Sequence, residues 1–178
     1  NVSQHYGVAL ELPIGAQRVL PDTWVSYPVR VTNTGNGPDV FDLFTGSGWS
    51  ATIVVDVSPA SEIALDAGET DVAELRVKAP ADSGWNNTHN SSFTAISQGN
   101  TSVNANVSIS TSVGQLMALE PLRSALPGEE ASFPLQAMNL ADVSNTLQLE
   151  VAEAPTGWEW TLEPSSLPLA GRERGYAW

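Results

Sequence analysis

The chain contains no cysteine, which excludes disulfide bonds, thiol nucleophiles and thiolate metal ligands. Basic residues are also scarce: seven Lys and Arg stand against 20 Asp and Glu, so the formal net charge is −13. A protein field of that sign repels phosphate backbones and anionic lipids. We therefore expect no nucleic acid among the partners.

Long apolar runs are missing as well. No stretch approaches the roughly 18 apolar residues that a membrane helix requires, and no basic-then-apolar segment opens the chain at Asn1. Residues that suit an exposed helix face are few, because Lys78 is the only lysine whereas Ser, Thr and Asn are abundant. We expect an all-β chain with no membrane insertion in this segment.

Alternation of apolar and polar residues marks the strands. Residues 25–32 alternate over their whole length, and residues 8–12, 49–57, 73–78 and 103–110 show the same period of two. Clusters of Gly, Pro, Asn and Asp separate these runs, as turns require. Seven or eight short strands of this kind predict a two-sheet, immunoglobulin-like β-sandwich over residues 1–112.

The inward positions of these strands define the expected core of this sandwich. They are Tyr27, Val29, Val31, Phe41, Leu43, Trp49, Ile53, Leu75, Val77, Phe93, Val103, Val107 and Ile109.

An internal repeat follows. Residues 20–33 align with residues 126–139 at an offset of 106, so that Asn33 corresponds to Asn139. The further matches are Phe41 and Leu43 with Leu147 and Leu149, Gly48 and Trp49 with Gly157 and Trp158, and Gly68 near Gly171. We expect tandem sandwiches, 1–112 and 113–178, with Trp158 and Trp160 buried in the second.

The second copy is predicted to be incomplete. Nothing in it corresponds to residues 85–112, so its run from Phe133 through Trp160 would present an apolar face and an unpaired strand edge. Three explanations stay open: the sequence is a fragment of a longer protein, a neighbouring subunit adds the missing strands, or the second copy closes as a different, smaller fold.

Four segments carry a family resemblance. VTNTGNGPDVFDLF (31–44), the GW pair at 48–49, LDAGETDVAELRVKAPADSGW (65–85) and FTAISQGNTSVNANVSIS (93–110) together resemble the Ig-like domain family associated with alpha-galactosidases and with prokaryotic surface proteins. The second copy departs from this pattern, because NLADVSNTLQL (139–149) lacks the glycines. The resemblance implies a spacer, adhesive or wall-facing module without catalytic residues to carry over.

Conventional chemical sites are hard to find. His5 and His89 have no metal-binding spacing, and we expect both in solvated loops. Acidic residues near 39–42 and 66–71 could act as an acid/base pair, but exposed carboxylates beside strands are far commoner. With Asn33 and Asn36, these carboxylates could also supply oxygen ligands to calcium. Calcium is therefore a candidate ion, and we expect no other cofactor.

One tryptophan is a candidate carbohydrate contact. Trp85 follows the loop sequence APADSG and precedes two asparagines, where an indole face could stack on a sugar ring. Trp49, by contrast, heads a strand and is expected in the core.

The segment from Ser83 to Leu119 contains no charged residue although the rest of the chain is acidic. N-glycosylation sequons cluster in it, and one more starts the chain; their asparagines are Asn1, Asn86, Asn90, Asn100 and Asn106. Attached N-linked glycans would solvate this uncharged sheet and protect its edges. A solvated β surface built from neutral polar residues is the plainer alternative.

Together these features favour a non-enzymatic structural or adhesive spacer of an exported archaeal cell-surface glycoprotein, of the surface-layer or extracellular-filament type. Its location would be extracellular, and its partners would be neighbouring domains or subunits of a surface assembly, with polysaccharide as a further candidate. The alternative is a carbohydrate-binding accessory module of a secreted glycoside hydrolase.

Overall fold

The computed structural model describes residues 3–120, 123–126, 128–154 and 156–178. In this part of the chain every regular element is a β-strand, which confirms the all-β prediction. None of the described residues forms a helix that could cross a membrane. The strands are β1 Val8–Glu11, β2 Ala16–Val19, β3 Trp24–Asn33, β4 Asp39–Gly46, β5 Ser50–Val55, β6 Ser58–Pro59, β7 Glu62–Leu65, β8 Thr70–Lys78, β9 Thr88–Ser97, β10 Asn104–Val113, β11 Leu116–Ala118, β12 Leu135–Met138, β13 Asn145–Gln148, β14 Ser166–Leu169 and β15 Arg174–Ala177.

The first ten strands form an immunoglobulin-like sandwich of two sheets. One sheet has the order β1-β3-β8-β5-β6 and the other β2-β10-β9-β4-β7. Neighbouring strands are antiparallel except β2, which runs parallel to β10. The chain therefore enters the first sheet through β1 and then crosses to the edge of the second.

The core of this sandwich agrees with the alternation in the sequence. The expected residues that are buried are Tyr27, Val29, Val31, Phe41, Leu43, Ile53, Leu75, Val77, Phe93 and Ile109. Trp49, Val103 and Val107 are only half-buried. Val103 precedes β10, and Val107 lies on the part of β10 that has a strand on one side only, because β9 pairs with it there but β2 pairs only with Ser110–Val113.

A buried tyrosine joins the two sheets. The hydroxyl of Tyr27 on β3 donates to the carbonyl oxygen of Ser110 on β10 at 3.0 Å and lies 2.8 Å from Thr111 Oγ1. Burial raises the pKa of the Tyr27 hydroxyl, so the phenol stays protonated as a donor. The bond satisfies a polar group inside an apolar core, where an unpartnered hydroxyl would be costly.

Strands β11 to β15 form a smaller pair of sheets, β11-β12-β15 and β13-β14. Their shared core contains Ala137, Leu167 and Leu169, with Leu147 and Leu149 packed against it. Side chains from both sheets contribute to this cluster. It is much smaller than the core of the first sandwich.

A buried asparagine with one bonding pattern occurs in both halves. Asn33 Nδ2 donates to the carbonyls of Gly37 and Leu65 at 2.9 and 3.0 Å, and its Oδ1 accepts from Gly35 N at 2.9 Å. Asn139, at the offset of 106, is equally buried. Its Nδ2 donates to Val143 O, Leu169 O and Ala170 O, and its Oδ1 accepts from Ala141 N. The repeat seen in the sequence is therefore also a repeat of hydrogen bonds.

A tight turn beside each asparagine is repeated as well, with a change of register. Glu69 Oε2 accepts from Asp66 N at 2.7 Å, and Glu173 Oε2 accepts from Ala170 N at 2.6 Å. Gly68 directly precedes Glu69 and has a φ of 79°. Arg172 directly precedes Glu173 and has a φ of 61°. Gly68 thus corresponds to Arg172, one residue after the glycine that the sequence alignment indicated.

The second half departs from the prediction in its aromatic residues. Trp158 is 58% exposed and Trp160 is 56% exposed, so the expectation that both are buried is wrong. Between β13 and β14 the described residues contain no strand equivalent to β5, which removes the sheet against which an indole could pack. In the first sandwich β5 pairs with β8. In the described part of the second half, Glu163 and Trp178 alone exchange backbone hydrogen bonds, of 2.9 and 2.8 Å, in a comparable place.

An open strand edge is present on β13. In the first sandwich the equivalent strand, β4, lies between β7 and β9. Among the described residues β13 pairs with β14 alone, so the side that β9 occupies in the first sandwich carries no strand. Whether another segment of chain covers this edge stays a prediction.

Removing the buried amide of Asn33 tests its structural role. Asn33→Ala leaves the carbonyls of Gly37 and Leu65 without their donor, and we expect the free energy of unfolding to fall by about 2–3 kcal/mol. Urea denaturation followed by tryptophan fluorescence measures this loss. Asn104→Ala, on the exposed face of β10, is the matched control and should change stability by less than about 0.5 kcal/mol. Equal effects of the two substitutions would contradict the proposed role.

The hairpin between β5 and β6 carries backbone strain that a glycine should relieve. Asp56 and Val57 both have positive φ, 47° and 63°, as a type I′ turn requires. Left-handed backbone costs a residue with a side chain about 1–2 kcal/mol, and glycine's extra freedom in the unfolded chain offsets part of that. We expect Val57→Gly to raise the free energy of unfolding by about 0.5–1 kcal/mol. Val72→Gly, in the extended strand β8, should lower it; stabilisation by both would show that turn strain is not the cause.

Candidate functional site

The uncharged segment of the sequence forms one continuous surface. It supplies β9, β10 and the loop before β9, and the alternate residues of the two strands point away from the core. We call this surface the β9–β10 outer face. Its residues are Thr88, Asn90, Ser92, Thr94, Ile96, Asn104, Asn106, Ser108, Ser110 and Ser112. The face therefore presents hydroxyl and amide groups almost throughout.

The sequon asparagines within the described residues are all exposed. Asn86 lies in the loop before β9 with a φ of 63°, and Asn100 lies in the turn between β9 and β10. Asn90 belongs to β9 itself, rather than to the preceding loop, and Asn106 belongs to β10. Asn1 falls outside the described residues. Glycosylation of these positions stays a prediction, and exposure is the geometry that it needs.

The amide of Asn106 is held across the neighbouring strand. Its Nδ2 donates to Thr94 Oγ1 on β9 at 2.6 Å. The two residues are direct cross-strand partners. The amide nitrogen that a sugar would modify thus lies over β9 instead of pointing away from the sheet.

The candidate carbohydrate contact is a surface residue. Trp85 is 57% exposed in the loop before β9. The guanidinium carbon of Arg18, on β2, lies 5.6 Å from the centre of its ring. This is a cation–π contact, so Arg18 covers part of the indole surface on which a sugar would have to stack.

His89 lies in β9 and is not a solvated loop residue. Its ring stacks on Trp49, with ring centres 4.9 Å apart. Its Nε2 accepts from Gly48 N at 2.9 Å and lies 3.1 Å from Ser47 Oγ. Ser47 Oγ in turn accepts from Ser91 Oγ. These contacts hold the turn between β4 and β5 and explain why Trp49 sits at the rim of the core.

The acidic residues considered for calcium or acid/base chemistry bond mainly to the protein itself. Asp39 accepts from Ser97 Oγ at 2.5 Å and from Gly99 N at 3.2 Å. Asp42 accepts from Gln98, and Glu69 closes its own turn. Within the described ranges no three His, Asp or Glu side chains are grouped so that they could hold a metal ion.

The two halves of the chain meet in a packed junction. Met117, on β11, is buried in the core of the first sandwich, and Met138 packs against that core. Gly114 N donates to Val19 O at 3.0 Å, and Arg174 donates to Pro21 O at 2.8 Å. Apolar packing and hydrogen bonds thus both cross from one half to the other.

An ion pair flanks this junction on the side of the first sandwich. Lys78 Nζ lies 2.6 Å from Asp22 Oδ1. The bond to Lys78 lowers the pKa of the Asp22 carboxyl, and the positive charge of Arg174 acts in the same direction. Asp22 therefore stays ionised beside the guanidinium that joins the two halves.

Comparison with known proteins identifies no family. No family model matches the sequence, and no curated protein matches it.

Solved structures show distant likeness. A family 123 glycoside hydrolase from Clostridium perfringens is 8% identical with a TM-score of 0.47, over 65% of this chain and 28% of that one. The seventh PapD-like domain of human CEP192 is 11% identical with a TM-score of 0.38, over 58% of this chain and 82% of that one. A CARDB domain from Pyrococcus furiosus, in complex with di-metal ions, is 12% identical with a TM-score of 0.36, over 62% of this chain and 93% of that one.

Proposed function

We propose that this chain is a stiff structural or adhesive spacer of an exported cell-surface glycoprotein, of the surface-layer or extracellular-filament type, and that it is not an enzyme. Its partners would be neighbouring domains or subunits of the same assembly. The archaeal origin expected from the sequence belongs to this proposal. The observation that carries it is the junction between the two halves of the chain.

The junction supports a spacer because it limits bending. A flexible linker would leave each core closed on its own, whereas here Met117 enters the core of the first sandwich from β11. Only Gly114 and Gln115 separate β10 from β11, and Gly114 is itself buried. A spacer must hold its ends apart, and we expect the direct packing of successive units to oppose bending at this junction.

The distribution of charge supports a glycoprotein. The acidic residues lie outside the segment from Ser83 to Leu119, so charge does not solvate the β9–β10 outer face. Glycans on the exposed sequons would supply bulk and solubility there. They would also shield the edge of β10 that faces away from β9 and that β2 covers only from Ser110 to Val113.

A carbohydrate-binding accessory module is the second candidate, and the exposure of Trp85 favours it. Affinity electrophoresis on a panel of soluble polysaccharides tests this candidate. Retardation of the wild-type protein that disappears in Trp85→Ala, but not in Trp24→Ala, would support it. Unchanged mobility on every polysaccharide would count against it.

Stiffness at the junction can be measured directly. Residual dipolar couplings of the two sandwiches in the wild-type chain should fit a single alignment tensor. The double variant Met117→Ala, Arg174→Ala removes the buried thioether and the bond to Pro21, and we expect two different tensors for it. Arg172→Ala removes an exposed ion pair with Asp142 and is the control. Separate tensors in the wild-type chain would refute the stiff spacer.

Glycosylation is tested on the protein from its native source. We expect glycopeptides that contain Asn86, Asn90, Asn100 or Asn106, detected by mass spectrometry before and after removal of the glycans. Antibody labelling of intact, unpermeabilised cells should show the protein at the surface. Unmodified asparagine at all four positions would defeat the glycoprotein part of the proposal.

A further inference from the structure

An exposed aromatic ring lies in the same row as one of the sequon asparagines. Phe44 on β4 is the direct cross-strand partner of Thr94 on β9, and Thr94 is the partner of Asn106 on β10. Paired residues of antiparallel strands project on the same side of a sheet, so these three side chains form one row on the outer surface. Phe44 is 53% exposed, in contrast to the inward-facing Phe41, which is fully buried.

The distances within this row suit a short oligosaccharide. Neighbouring strands lie roughly 4.8 Å apart, which places the backbones of Phe44 and Asn106 about 10 Å from each other. The bond from Asn106 Nδ2 to Thr94 Oγ1 directs the amide toward β4. An asparagine modified at Nδ2 keeps one N–H, so a glycosylated Asn106 can retain this bond. The sugar replaces the other hydrogen of Nδ2 and so leaves the amide beside this bond, about two strand spacings from the strand that carries the phenyl ring.

The surroundings of Phe44 leave room for a sugar. The next row toward the end of β4 contains Gly46, which has no side chain, beside Ser92 and Ser108. On the other side of Phe44, Asp42 is occupied by its hydrogen bond with Gln98. Aromatic rings present a face of negative potential, to which the C–H groups on one side of a pyranose are attracted. No other sequon asparagine of the β9–β10 outer face has an aromatic residue in its row.

We propose that Phe44 is a stacking platform for the N-linked glycan of Asn106, so that the first pyranose rings lie flat on β9 between the two residues. This inference rests on the proposed glycoprotein function and adds to it a role for one glycan. The sugar chain would cover an exposed phenyl ring that otherwise faces water. In return, the ring would order a sugar chain that otherwise moves freely.

The test compares glycosylated and unglycosylated forms of the full 178-residue chain, produced in a host that modifies sequons. Ser108→Ala abolishes the sequon while it keeps Asn106 and its bond to Thr94, so it provides the unglycosylated background. We expect Phe44→Ala to reduce the folding equilibrium constant roughly two- to tenfold more in the glycosylated background than with Ser108→Ala. Phe44→Trp should retain the coupling, and Trp24→Ala, on the other sheet, should show none.

A spectroscopic readout separates stacking from general stability. Protons on the stacked sugar face should be shifted upfield by the ring current in wild-type protein and return to their free positions in Phe44→Ala. An Asn106 glycan with no such shift, and an equal effect of Phe44→Ala in both backgrounds, would overturn the stacking inference and leave the glycoprotein proposal standing. Glycans at other sequons but none at Asn106 would do the same. If the native protein carries no glycan at all, both proposals fail.

Discussion

Both halves of this molecule depend on a buried side-chain amide that connects three chain segments. Where β3 or β12 ends, the backbone must turn away while its carbonyl and amide groups remain out of contact with water. Asn33 and Asn139 meet those groups with both their donor and acceptor atoms. A hydrophobic residue at either position would leave the turning backbone without these hydrogen-bond partners. In the first sandwich, the bond from Asn33 to the carbonyl of Leu65 joins the end of β3 to the end of β7. Because β3 and β7 belong to different sheets, this bond couples the two sheets.

The sequence was most informative where one face of a strand is buried. The alternation through residues 25–32 predicted which side of β3 faces the core, because a side chain in a strand has only two directions. The repeat was also detectable, since Asn139 retains the spacing of Asn33 from its neighbours. The two asparagines share this spacing because each bonds to carbonyls that are distant in sequence, such as Leu65 O for Asn33. A local sequence pattern does not reveal such bonds. They depend on the strand pairing.

Residues at the limits of the fold were harder to predict. Trp158 matches Trp49 in sequence, but the described residues between β13 and β14 contain no strand equivalent to β5, so the indole of Trp158 has no sheet to pack against. His89 gave no motif, because its partners Gly48 and Trp49 are about 40 positions away. The row of Phe44, Thr94 and Asn106 was equally invisible, since it follows from the register of three strands. The sequence does not indicate that Asn106 and Phe44 lie near each other, because their proximity depends on the pairing of β4, β9 and β10.

The parallel pairing of β2 with β10 has a mechanical consequence. If tension acts along the chain from the start of the first sandwich to its end, β2 is drawn one way and β10 the other, parallel to their own axes. The strands from Ala16 to Val19 and from Ser110 to Val113 must then slide past each other, so their hydrogen bonds bear the load together instead of opening one after another. Such shearing resists extension far better than peeling does. Under such a load, the parallel pair of β2 and β10 would hold the two ends of the first sandwich against its core.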